Sequence, residues 1–284
     1  LFTTPIILGL ILNCGMETIT LHFLGQKRPD YLASMGTAIM VKALIVVNFI
    51  MGSVRAMETM CMEAKSSGDI KLMNNYFNKG RMILCVQLFC LISILWRSPL
   101  ILDQLGQDPY ISRNGGQYLA YSAPALISFS HINYLRRYLA VQGYIYGPLV
   151  ILLFCTVIHV PITWYFVDVN DLGMMGAGMA ITISLTFCLF LMYLYAYSQD
   201  ELYDAISFDV VFSFTEWWPY FVRMCQIGFA LVIETMYQQI ITLMAGMFCI
   251  TNQMASHIAL DNFAMLIGMT TTSMGFSAST FVSE

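Results

Sequence analysis

Charge is what this sequence has least of. Of 284 residues, 11% are charged and 58% are hydrophobic, and the mean hydropathy is +0.69. Soluble domains carry about 25% charged residues, so a soluble chain of this length could not hydrate its own surface. The 13 basic residues are scattered and outnumbered by 17 acids, which argues against a nucleic-acid partner. The motifs G-x-x-x-x-G-K-[ST], H-E-x-x-H and G-x-S-x-G are missing, so nothing points to ATP hydrolysis, zinc proteolysis or an esterase nucleophile. The eight cysteines form no C-x-x-C pair, and most fall in apolar runs. They read as small packing residues, neither a disulfide framework nor a metal site. His22, His131, His159 and His257 make no ligand-spaced cluster. No cofactor, metal or enzymatic activity is expected. A signal peptide with a basic start and cleavage site is also missing. The chain begins without Met in an apolar run and closes on "FVSE" in another, so it is expected to be a piece of a longer protein.

What is present is a series of eight apolar segments, roughly 1–24, 32–54, 80–102, 117–141, 146–167, 173–197, 217–247 and 252–282. Each is long enough to cross a hydrocarbon core about 30 Å thick. None alternates apolar and polar residues as porin strands do. In lipid the backbone must satisfy its own hydrogen bonds, so each segment should be helical. The fold class is therefore all-α, a polytopic transmembrane helical bundle whose first partner is the lipid bilayer. Arg55, Lys65, Lys71, Lys79 and Arg81 in the 2–3 connection, with Arg136 and Arg137 in the 4–5 connection, outweigh Lys27, Arg28, Arg97 and Arg113 on the other side. That bias places the first set in the cytoplasm. Trp96, Trp164, Trp217 and Trp218 stand at segment ends, where interfacial anchors belong.

An internal echo divides the chain. Segment 1 carries Pro5 and then Glu17-Thr18; segment 7 carries Pro219 and then Glu234-Thr235. Segments 2 and 8 open with Ala33-Ser34 and Ala255-Ser256, and end near Met51-Gly52 and Met274-Gly275. Residues 198–216, with five acids and no bases, lie between the two patterns. The expected organisation is a six-helix lobe over 1–198, a cytoplasmic linker over 199–216, and the start of a second lobe over 217–284.

Charged groups inside apolar segments are the candidate functional residues. An ionised carboxylate at a helix centre costs on the order of 3 kcal/mol. Desolvation favours its neutral form, while a nearby cation favours the charged one. Glu234 and Glu17 fit such a role; the alternative is a protonated acid hydrogen-bonded between helices. Lys42, midway along segment 2, could pair with Glu17, tune it, or snorkel to the interface; pairing is favoured. Asp261 is the third intramembrane acid, lining a cleft or facing a neighbouring helix. Gln238 and Gln239 can offer amide hydrogen bonds to a substrate or to Glu234, or serve as interhelical glue worth about 1 kcal/mol. The 21 Met and 16 Tyr supply a soft, polarisable interior, suited to promiscuous binding and cation–π contact but equally to plain packing.

Several stretches resemble the multidrug and toxic compound extrusion (MATE) family, in particular its eukaryotic branch. "LGQDPYISRNGGQYL" at 105–119 is similar to the outer loop between helices 3 and 4. "PALISFSHINYLRRYLAVQGYIYGP" at 124–148 resembles helix 4 and the Pro opening helix 5, and "IHVPITW" at 158–164 resembles helix 5. "LGMMGAGMAITIS" at 172–184 and "MGSVRAMETMCMEAKSSGD" at 51–69 resemble the opening of helix 6 and the inner end of helix 2. The resemblance implies a two-lobe, twelve-helix transporter, of which this chain holds helices 1–8. It implies export of small organic cations or other amphipathic substrates in exchange for protons or sodium, at the plasma membrane or a vacuolar or other endomembrane. It makes Glu234 the second-lobe acid, places Glu17 where prokaryotic members show Asp-Thr, and puts His159 at a family position. Met62-Glu63 stands where the family shows Gly-Gln, Gln239 where it shows a second acid, and Asp261 where it usually shows Asn. Two rivals remain: a flippase for lipid-linked sugars on the same fold, which should show a more cationic cavity, and a receptor or non-transporting scaffold.

Overall fold

The computed structural model describes residues 3–97, 100, 108–199, 202, 214–248, 252–264 and 267–268. Among them there is helix and no strand. The reason is the one the apolar runs impose: a helix closes its backbone hydrogen bonds within the segment.

Helix α1 spans Thr3–Lys27. Helix α2 begins at Pro29, whose fixed φ suits the first helical position, and continues to Ser66 through a π-turn at Ala43–Val47. Gly68 (φ 77°) and Asp69 make a tight turn, and the Asp69 carboxylate caps α3, Ile70–Leu95, by accepting from Leu72 N at 2.9 Å. Asp108 caps α4, Pro109–Gln142, in the same way, accepting from Tyr110 N at 2.8 Å. Helix α4 stops at Gly143, where φ is 100° and the left-handed turn closes with Tyr144 N donating to Leu139 O at 2.9 Å. Helix α5 runs Tyr146–Val169 and ends in a second π-turn, Tyr165–Val169, after Pro161. Helix α6 is Gly173–Tyr197, α7 is Phe214–Phe248, and α8 covers 252–264.

Among the described residues four stretches, Pro29–Ser66, Ile70–Leu95, Tyr146–Val169 and Gly173–Tyr197, are long and apolar enough to cross a membrane. The chain is an integral membrane protein. Helix α1 packs on α5, α4 on α6 and on the first half of α2, and the second half of α2 on α3 and α7. The polar-poor core runs along the shared interior, with Leu24, Met35, Val46, Met57, Tyr138 and Cys188 among its fully buried members. Trp96, Trp164 and Trp218 are exposed on the outer faces.

One expectation changes. The 2–3 connection, 55–79, is not an open cytoplasmic loop, because α2 runs on to Ser66 and α3 begins at Ile70. Hydropathy marks membrane thickness, whereas the helical hydrogen bonds carry on wherever the polar face can be solvated or paired. Lys79 and Arg81 are buried rather than projecting as loop charges, and Arg81 donates to Asn78 Oδ1 at 2.8 Å over the Phe77 ring. Most of 198–216, and the second half of segment 8 with Met274-Gly275, lie outside the described residues.

Candidate functional site

Among the described residues, four helices line a cavity of about 200 Å³. Its walls follow helical spacing. Helix α1 contributes Cys14 and Glu17; α2 contributes Lys42 and Ala43 at the start of its π-turn; α4 contributes Tyr118, Ser122 and Phe129; α6 contributes Ile181 and Leu185. Residues 118, 122, 125, 126 and 129 form one face of α4, as positions three and four apart must. The lining is mostly apolar.

The charges in this cavity are paired. Lys42 donates to Glu17 Oε1, and the two side chains retain 7% and 26% of their exposure. The carboxylate therefore reaches the cavity while the ammonium lies almost wholly within the protein. The Tyr118 hydroxyl, buried at 0% exposure, has no hydrogen-bond partner. A buried O–H without a partner carries a desolvation penalty of about 1–3 kcal/mol, so it stands ready for an acceptor.

His159 sits one layer away, at the meeting of α1, α5 and α6. Its Nε2 lies 3.0 Å from Met16 O, 2.9 Å from Thr20 Oγ1 and 3.1 Å from Thr163 Oγ1, and its Nδ1 lies 2.8 Å from Ser184 Oγ. A carbonyl can only accept, so Nε2 carries the hydrogen and Nδ1 accepts from Ser184. His159 is fully buried and does not line the cavity. It ties the α1 backbone one residue before Glu17, and so helps to set the height of that carboxylate.

The other sequence candidates are not all brought to this place. Glu234, Gln238 and Gln239 lie on α7, but their side chains fall outside the described residues. Asp261 is half-buried on α8 and is not among the cavity residues. Its neighbour Asn262 accepts from Thr18 Oγ1 at 3.4 Å, which brings α8 against the helix that carries Glu17. Sequence reasoning missed Tyr118 and Ser122. The signal available was their i, i+4 spacing in an apolar helix, but nothing in one sequence says which face of α4 meets a cavity.

Two further ion pairs stand where α2 approaches α3, α4 and α7. Arg137 Nη1 donates to Glu58 Oε1 at 3.2 Å in a pair that is nearly sealed from solvent, and Arg223 Nη2 donates to the exposed Glu63 Oε1. Glu63, at a position that departs from the resembled pattern, thus joins α2 to α7. Nearby, Tyr220 of α7 is buried with Ala56, Met60 and Met224 and lies 6.0 Å, ring to ring, from Tyr76. Among the described residues no group of three or more His, Cys, Asp and Glu could hold a metal ion.

Comparison with known proteins agrees with this architecture. Protein DETOXIFICATION 3 of Arabidopsis thaliana is 33% identical over 171 residues, 58% of this chain and 35% of its own length. Protein DETOXIFICATION 29 of the same plant is 26% identical over 247 residues, 85% of this chain and 48% of its own length. The chain thus spans about a third to a half of the length of these relatives. The crystal structure of the eukaryotic MATE transporter AtDTX14 superposes with a TM-score of 0.82 at 19% identity, over 99% of this chain and 64% of that one. The family model MatE matches residues 5–165, more than half of the sequence. The chain belongs to the MatE family of membrane transporters.

Proposed function

We propose that the protein is a secondary active antiporter that exports organic cations or other amphipathic compounds in exchange for protons or sodium by alternating access. The observation that carries this reading is a carboxylate, Glu17, reaching a mostly apolar cavity enclosed by helices of an integral membrane protein. Such an acid costs on the order of 3 kcal/mol when ionised at mid-membrane. It is therefore sensitive to any cation that arrives, whether proton, sodium or cargo. Competition between cargo and driving ion for one carboxylate is the physical basis of exchange. Each proton moved down about 100 mV supplies roughly 2.3 kcal/mol. Glu234 on α7 is the proposed counterpart in a second lobe that begins near 217, with Gln238, Gln239 and Asp261 as its polar neighbours and 199–216 as the linker. The names of the relatives, which speak of detoxification, accord with a broad cargo range. A flippase for lipid-linked pyrophosphates would need clustered bases; among the described residues the cavity is lined by one lysine, matched by one glutamate.

The test is efflux of a fluorescent organic cation from vesicles carrying the full-length protein under an imposed pH gradient. Efflux should follow the gradient and fall at least tenfold in Glu234→Gln, the loss of one charged contact being worth about 1.4 kcal/mol or more. Efflux indifferent to both the gradient and the substitution would refute antiport.

A further inference from the structure

Resting on that reading, we propose that the π-turn at Ala43–Val47 is the joint through which α2 passes movement of the second lobe to the cavity wall. In this turn Asn48 N donates to Ala43 O, five residues back rather than four, so the helix holds one residue more than an α-turn would. Ile39, Lys42, Ala43, Val47 and Met51 of α2 all line the cavity. At about 100° per residue, an unbroken α-helix would spread these five over about 180° of its circumference. The extra residue sets those after it back by about 100°, which gathers all five into an arc of about 100°. The turn is therefore what lets one helix line the cavity from Ile39 to Met51. Moving it along α2 changes which side chains stand in that wall.

The turn also divides what α2 packs against. Before it, α2 lies mainly on α4 and α1, and it meets α8 at Gly36, where a Cβ would stand 2.0 Å from Ile258 Cδ1. After it, α2 lies mainly on α7 and α3, with Ala56 and Met60 against Tyr220 and Met224, and Glu63 paired to Arg223. The turn itself meets α3 and α7. Helix α2 thus touches α8 on one side of the cavity and α7 on the other. When two lobes part at one face of the membrane and close at the other, the halves of α2 must move differently. That difference falls on the turn that lines the cavity.

A second observation lies beside the turn. Asn48 is 8% exposed, and its side-chain Nδ2 has no hydrogen-bond partner. Buried donors are rarely left so. Passing the extra residue one turn towards Ser66 would rotate Val47 and Asn48 by about 100°, while Ile39 and Lys42 keep their faces. Val47 then swings out of the arc, and the Asn48 amide is carried to a different neighbour. Only hydrogen bonds and packing change in this step.

The test removes the extra residue without moving the wall. Deleting Ile45, which does not line the cavity, makes α2 a continuous α-helix in which Val47 and Met51 keep their faces relative to Ile39 and Lys42. The full-length parent and the deletion variant are compared in detergent and in vesicles, with tetraphenylphosphonium as the probe. The variant should bind the cation within about twofold of the parent by calorimetry, and its efflux under a pH gradient should fall at least about tenfold. Efflux equal to the parent's would overturn the proposal. So would binding and efflux lost together in a variant that melts as the parent does, since the turn would then only shape the site. A second measurement needs no variant. In the parent, amide hydrogen exchange across 43–48 should run about tenfold faster than across 35–40 and change about threefold or more when the cation binds. Exchange that is alike in the two segments and unaltered by the cation would overturn the proposal, whether or not the deletion variant folds. Parent efflux that ignores the gradient would defeat antiport alone, because parent and variant compared in the same vesicles still decide the joint.

Discussion

Removing either half of the Glu17–Lys42 pair strands its partner in an apolar cavity. Glu17→Gln or Lys42→Met should each lower stability by about 2 kcal/mol, less than a fully sealed pair because Glu17 keeps some exposure. The double variant should recover most of the loss. Thermal melts of the four proteins in detergent form a double-mutant cycle, and additive losses would show that the pair contributes nothing jointly. His159 has a different role. Replacing it with Ala strips the Ser184 hydroxyl and the Met16 carbonyl of a partner, at a cost of about 2–3 kcal/mol including the void. A melting temperature unchanged by His159→Ala would remove His159 from the support of Glu17.

Between elements, one glycine sets how closely helices meet. A Cβ on Gly80 would stand 1.8 Å from Tyr134 Oη and 2.1 Å from Tyr220 Oη. Both rings are fully buried, and Tyr134 donates to Phe77 O at 3.1 Å, so neither can swing away freely. Gly80→Ala should therefore cost about 1–3 kcal/mol through overpacking and loosen α7 from α3, read as faster hydrogen exchange in α7. The turn between α5 and α6 is held by charge. Lys27 donates to Asp171 Oδ1 at 2.5 Å, and this hydrogen bond, with the charges of Lys27 and Arg28, holds the Asp171 carboxyl below its usual range. Its folded value is depressed, so its contribution is full above the unfolded value near 3.9 and is lost as pH falls through the folded one. Melting temperature should drop below about pH 4 in the parent and drop less in Asp171→Asn, whose short amide still suits the left-handed backbone there.

Across the whole molecule, α7 meets the earlier helices through an exposed ion pair and a buried aromatic contact. The Arg223–Glu63 pair is open to water, so its worth to stability is about 0.5 kcal/mol. Its position across α2 and α7 matters more, since a difference of that size shifts a near-balanced conformational equilibrium about twofold. Arg223→Glu should lengthen the α2–α7 distance distribution seen between spin labels, and Glu63→Arg on top of it should restore the parent distribution. The effect should shrink with salt, over a screening length of about 8 Å at physiological ionic strength. An identical distribution in all three proteins would mean that the buried Tyr220 contact alone holds the helices together.

Much of this was legible one residue at a time. Scarce charge and long apolar runs impose helices in a membrane, because unpaired backbone groups cannot survive in hydrocarbon. Helix α6 was readable as 173–197 from its apolar run, matching Gly173–Tyr197. Lys42, midway along segment 2, was readable as a possible partner of Glu17. Three things belong to the tertiary structure alone. Helices α2 and α3 extend past the apolar runs because their polar faces find partners there. Lys79 and Arg81 are interior rather than loop charges because neighbouring helices close over them. Tyr118 and Ser122 face the cavity because α2 and α6 fix the rotation of α4, and an apolar helix with little amphipathic bias does not encode its own rotation. The sequence determined which residues are costly to bury in lipid; only packing decided which of them share a space, because contact depends on helix rotation and neighbours rather than on composition.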